Sequence, residues 1–149
     1  DKELRTAETN CKGFTRMITY AFNYFAQQGK GHIACITSIA GTKGLGASPA
    51  YSATKRYQNH YLQCLAQLSA MRKVKITFTD IRPVFVATDL LNDNHHYPML
   101  MKKEFVAKEA YKAVAQKRRI KVIDWRYNLL VMAWKLIPNC IWERLSIKN

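Results

Sequence analysis

Three short apolar runs set apart by much longer segments of helical periodicity constrain this chain most. Strand-length runs joined by helix-length spacers cannot form hairpins, so they pair in parallel through crossover helices. The first run, His32-Ile33-Ala34-Cys35-Ile36-Thr37-Ser38, lacks clean alternation, as a buried parallel strand does. The second, Val74 to Ile81, is stopped by Pro83, and the third is Ile120-Lys121-Val122-Ile123. Ahead of the first run, Phe14, Ile18, Ala21, Phe22 and Phe25 fall at i, i+4, i+7, i+8 and i+11, the stripe of an amphipathic helix over 6–28 that ends at Gly29 and Gly31. After it, Ser48 and Pro49 read as an N-cap with proline at the first helical position. Tyr57, Tyr61, Cys64, Leu65, Leu68 and Met71 carry that helix over 49–72. A polar stretch over 92–98 reads as an irregular loop, a third helix spans 103–116, and a helical region over 125–147 is interrupted at Pro138. The order is that of an α/β domain with a parallel sheet, one domain over 1–149.

Composition agrees with a folded domain. With 149 residues, 48% hydrophobic and 23% charged, the chain can bury a core, and disordered, collagenous and low-complexity classes are excluded. No internal repeat is visible. The net charge is +14, divided as +6 over residues 1–101 and +8 over 102–149. Such a charge draws a chain toward polyanions, nucleic acid or an anionic membrane. The densest cluster, Lys117-Arg118-Arg119-Ile120-Lys121, nevertheless reads as a solvated helix end, and no aromatic-interleaved basic stripe or zinc-finger spacing accompanies it. No nucleic-acid partner is expected. Cys11, Cys35, Cys64 and Cys140 form no CxxC pair, which fits a reducing compartment and a cytoplasmic location. The run Leu129 to Trp134 is far shorter than a membrane span. Trp125, Trp134 and Trp142 alternate with Arg126, Lys135 and Arg144 in the manner of an interfacial helix, but Pro138 breaks the stripe. A tail that closes a pocket or packs on a partner subunit is therefore expected ahead of peripheral membrane contact. His95 and His96 are adjacent without a carboxylate at ligand spacing, so no metal site is expected.

In a parallel α/β sheet, ligands bind beyond the carboxyl ends of the strands. Ser38 leaves the first strand there, and Pro83 to Asp89 leave the second. Tyr51 follows Ser38 by thirteen positions, and Lys55 stands four further on, a spacing that puts both side chains on one helix face. A phenol gives up its proton near pH 10, and a nearby cation favours the phenolate. Lys55 is placed to be that cation.

Ser38, the intervening GTKGLGASPA and Tyr51-Ser52-Ala53-Thr54-Lys55 resemble the S-x12-Y-x3-K site of the short-chain dehydrogenase/reductase family. Arg82-Pro83-Val84-Phe85-Val86-Ala87-Thr88 is similar to that family's P-G-x-V-x-T segment, with Val84 standing where glycine is usual, and Asn10 falls where the family carries a fourth catalytic residue. The resemblance implies a Rossmann-type sheet, here incomplete with about three strands. It implies hydride transfer between NAD or NADP and a small carbonyl or secondary-alcohol substrate. It further implies Ser38, Tyr51, Lys55 and Asn10 as catalytic residues, with Asn10 helping to hold a water in the proton relay. Tyr51, Lys55, Pro83, Val84, Val86 and Thr88 would lie along the cofactor. Helices 6–28 and 49–72 would pack on their copies in a homodimer or tetramer. The family's TGxxxGxG turn and NNAG segment precede these motifs and have no counterpart in this sequence. The chain is thus expected to correspond to the C-terminal portion of a member, inactive by itself, with its first strand left as a sheet edge where some compensating contact should be found. The choice between NAD and NADP is not readable. The alternative expectation is a truncated interaction or dimerisation module that retains the motif without turnover.

Overall fold

The computed structural model describes residues 1–87 and 100–147. Three strands and the helices between them place the site. Strand β1 (Lys30–Ile36) pairs in parallel with β2 (Lys75–Arg82) in the register Lys30 to Lys75 through Ile36 to Ile81, and β2 pairs in parallel with β3 (Ile120–Val122). The sheet order β1-β2-β3 makes β2 central. The expected three-stranded parallel α/β sheet is the one observed. β1 begins two residues earlier than its apolar run, because Gly29 takes the left-handed φ of +73° and delivers the chain directly into register with β2. It ends before Ser38, which turns out of the sheet. Among the described residues the outer edge of β1 has no partner strand, and Ile36 on its face is 67% exposed, so the compensating contact expected there is not found.

The segment expected as one helix over 6–28 is three pieces: α1 (Lys2–Ala7), a π-helical turn (Glu8–Gly13) and α2 (Phe14–Gln27). Helix α2 lays Ile18 and Phe22 on Ile33, Cys35 and Phe78 of the sheet, and α3 (Pro49–Met71) adds Leu62 and Leu65 to the same core. Gly31 allows this close approach, since a Cβ there would run into the Phe25 ring. The opposite face of β2 and β3 is covered by α4 (Lys103–Ala115), whose Val106, Ala110 and Val114 pack on Ile81, Met101 and Ile123. The tail forms α5 (Trp125–Leu136) and the short α6 (Asn139–Trp142), separated at Pro138 as the sequence predicts. Asp124 caps α5 by accepting from Arg126 N at 3.0 Å.

Candidate active site

Ser52 stitches the loop after β1, which carries Ser38, onto α3, which carries Tyr51 and Lys55. Ser38 caps a 3-10 turn over Ile39–Gly41: its Oγ accepts from Ala40 N at 3.1 Å and faces the Pro83 carbonyl at 3.4 Å, so the ends of β1 and β2 meet at this hydroxyl. Gly41 then lies directly on α3. A Cβ at that position would come within 2.7 Å of Arg56 N and of the Lys55 carbonyl carbon, and would strike Asn59 Nδ2. Ser52, next to Tyr51, is 97% buried; its Oγ lies 2.8 Å from the Ala40 carbonyl and 3.0 Å from that of Lys43, and accepts from Leu45 N at 3.1 Å. These contacts fix the loop carrying Ser38 against the helix carrying Tyr51 and Lys55. The start of α3 differs from the expected cap. Ser48 makes no side-chain bond, and Glu3 of α1 accepts from Ala50 N at 2.9 Å instead.

Tyr51 is 41% exposed, and Lys55 Nζ sits 5.5 Å from its ring centroid. Burial pulls Lys55 below the ordinary lysine range, and the charge of Asp80 beneath it acts the other way. Asp80 is fully buried near the carboxyl end of β2. It accepts from Thr37 Oγ1 at 2.5 Å and from Arg82 at 2.9 and 2.6 Å, so the sheet holds a satisfied carboxylate under the site.

Asn10 joins the site through the π turn. Its Nδ2 donates to Thr54 Oγ1 at 3.1 Å, which in turn donates to the Tyr51 carbonyl at 2.9 Å. The wider winding of a π turn lets a side chain reach the helix backbone. Gln58 uses it: Gln58 Nε2 donates to the Asn10 carbonyl at 2.9 Å while its Oε1 accepts from Lys55 Nζ at 3.1 Å. Lys55 is thus tied to the Asn10 backbone through a side chain that sequence reasoning passed over. The only signal for it was its place three residues after Lys55 on the same helix face.

The expected cofactor-lining residues follow β2. The Pro83 carbonyl also accepts from Ile39 N at 3.4 Å, and Val86 bridges to Met101 in parallel. Val84, in the position where glycine was the expectation, packs inward between Ile39, Tyr127 and Val131 on one side and Ile81 and Met101 on the other. Its bulk fills the core. Thr88, together with His95 and His96, lies outside the described residues. Among the described residues no group of three His, Cys, Asp or Glu side chains is placed to hold a metal ion. A separate cleft of about 580 Å³, lined by the Gly41–Gly46 loop, Arg56 and Asn139, opens on another face of α3 and does not include Tyr51 or Lys55.

A family model described as short chain dehydrogenase matches residues 2–97. This chain belongs to the short chain dehydrogenase family. The matched segment contains Asn10, Ser38, Tyr51 and Lys55. It is similar to an uncharacterized oxidoreductase of Myxococcus xanthus, 23% identical over 137 residues that cover 91% of this chain and 53% of that one. It also matches a glycine betaine reductase of Emericella nidulans, 34% identical over 91 residues, which are 61% of this chain and 7% of that one. Among solved structures, a short-chain dehydrogenase from Sphingobium yanoikuyae in complex with NADPH superposes with a TM-score of 0.70 at 18% identity, covering 94% of this chain and 56% of that one. The chain spans about half the length of the Myxococcus relative and a small fraction of the Emericella one.

Proposed function

We propose that this chain carries the catalytic half of an oxidoreductase that interconverts a carbonyl and a secondary alcohol with NAD or NADP. The observation that carries the reading is the stitching of the Ser38 loop to α3 by Ser52 and Gly41, which sets a hydroxyl, a phenol and an ammonium at one end of a parallel sheet. The residues present fit the nicotinamide-ribose end of such a cofactor. Lys55 is half-buried and has Gln58 as its one hydrogen-bond acceptor among the described residues. An ammonium has three donors, so two remain for ribose hydroxyls.

When bound, the nicotinamide supplies or accepts the hydride at the substrate carbon. The chain's own residues handle the substrate oxygen. Ser38 Oγ, whose proton is committed only to a long contact with the Pro83 carbonyl, turns to donate to that oxygen. Tyr51 gives the oxygen its proton in the reducing direction and takes it back in the oxidising one, with Lys55 Nζ 5.5 Å from its ring centroid. Gln58 and the Asn10 carbonyl hold Lys55 in place. Tyr51→Phe keeps the ring and deletes the proton donor. In a protein that reduces a model ketone, the variant should lose turnover by a factor of about 10² or more with its fold unchanged by circular dichroism. Retained turnover would sink the assignment.

The second reading is an association module. Met17, Tyr20 and Tyr24 fall at i, i+3 and i+7 on the outer face of α2 and are all more than half exposed. A homodimer through α2 and α3 would cover them. Sedimentation of the parent at twice the 17.2 kDa chain mass, and of Tyr20→Arg at that mass, would support this interface.

A further inference from the structure

We propose that the outer face of α5 is a docking surface for an anionic lipid bilayer. Helix α5 is apolar on two opposite sides. Its inner side buries Tyr127 and Val131 against Ile39, with Trp134, Val84 and Val122 around them. On the outer side Trp125, Leu129, Met132 and Leu136 fall at i, i+4, i+7 and i+11 and are 71%, 56%, 56% and 83% exposed. At 1.5 Å per residue they form a stripe roughly 16 Å long. Ile141 and Leu145 extend the exposed apolar surface past Pro138.

The charges around the stripe select the occupant. No acidic residue lies between Trp125 and Trp142, and Arg126 and Lys135 stand on the two flanks of the stripe. The nearest acid, Asp124, pairs with Arg126 at 2.5 Å, which holds its carboxyl below the usual carboxylate range and leaves Lys135 as the unpaired cation of α5 among the described residues. The chain as a whole carries +14, of which +6 falls over residues 102–121 and +2 over residues 122–149. A second copy on this face would bring two such charges together, whereas an anionic bilayer accepts the apolar stripe and the charge at once. A twelve-residue helix is too short to cross, and no helix among the described residues is long and apolar enough to do so, so the helix lies in the interface plane. The stripe is also held rigid from behind. Lys43 Nζ donates to the Ile137 carbonyl at 2.8 Å and to Asn139 Oδ1 at 2.6 Å, and Trp142 Nε1 donates to the Gly44 carbonyl at 2.6 Å. Docking therefore needs no folding of the tail.

The test is flotation of the full chain with phosphatidylcholine vesicles, with and without about one third phosphatidylserine. The parent should bind the anionic vesicles about tenfold or more tightly than the neutral ones, and a blue shift of tryptophan emission should accompany binding. Leu129→Asp/Met132→Asp, and separately Leu136→Asp, change only exposed side chains and should cost about tenfold in anionic-vesicle binding. Tyr111→Asp, equally exposed on α4, should leave it unchanged. Equal binding by the α5 variants would mean that charge alone adsorbs the protein, and equal binding of the parent to both vesicles would remove the anionic preference. Absence of vesicle binding, with the α5 variants converting a parent dimer to monomer, would assign the face to a second copy. Each of these three results overturns the proposal.

Discussion

Gly41→Ala should destabilise the protein and open its candidate active site together. An added Cβ would meet Arg56 N and the Lys55 carbonyl carbon at 2.7 Å, both backbone atoms of α3, as well as Asn59 Nδ2. Ordinary carbon contacts begin near 3.5 Å, so the loop must retreat by roughly 0.8 Å. That displacement stretches the 2.8 Å contact between Ser52 Oγ and the Ala40 carbonyl beyond hydrogen-bonding range. Overpacking costs about 1–3 kcal/mol and a lost hydrogen bond about 1 kcal/mol. The sum, about 2–4 kcal/mol, lowers Tm by roughly 4–16 °C for a chain of this size. The same loop supplies its own controls. Gly44 and Gly46 have nothing within 4 Å of a new Cβ and no left-handed φ. Alanine at either should leave Tm unchanged or raise it slightly, by removing freedom from the unfolded chain. Thermal melts of the three variants followed by circular dichroism read the result directly. A Gly41→Ala melt within about 1 °C of the parent, or a Gly44→Ala drop of equal size, would refute the claim that the loop is pressed on α3 at this one point.

Two further perturbations address charge and thiol chemistry. Hydrogen bonds from Lys112 and Lys121 hold the Glu109 carboxyl down to about 2, while an unfolded glutamate titrates near ~4.3. A depressed folded value means that the stabilisation is complete above the unfolded value and is lost as pH falls toward the folded one. Urea midpoints of Glu109→Gln should therefore fall less steeply than the parent's between about pH 4.5 and 2, and an unchanged slope would contradict the assignment. Burial, with Asp80 adding to it, pushes the Cys35 thiol up to about 12, whereas Cys64 and Cys140 are exposed. A thiol-reactive dye should label Cys64 and Cys140 in the native protein and reach Cys35 only in denaturant. Peptide mapping that finds Cys35 labelled early would overturn this.

Much of the molecule was legible in the sequence because it rests on local rules. Apolar period and the Gly and Pro positions placed β2, α3, α4 and the break at Pro138 to within a residue or two. The offsets from Ser38 to Tyr51 and Lys55 located the candidate site, because a helix fixes which side chains share a face. What escaped was decided by partners distant in the chain. The π turn over Glu8–Gly13 leaves no mark on a 3.6-residue stripe, and it exists where Gln58 and Thr54 of α3 engage Asn10. Glu3, rather than Ser48, bonds the start of α3 because α1 folds back beside it. Three glycines in one loop read alike, yet only Gly41 touches α3. The tail offered aromatic and basic residues without saying which faced outward, and packing of Tyr127 and Val131 on Ile39 turned the Trp125–Leu136 stripe to the surface. Periodicity and spacing are properties of a segment alone, so the sequence determined the elements and the spacing of the candidate site residues. Burial, capping and close approach belong to pairs of segments, so only the tertiary structure decided how that pattern is held together and which apolar face remains uncovered.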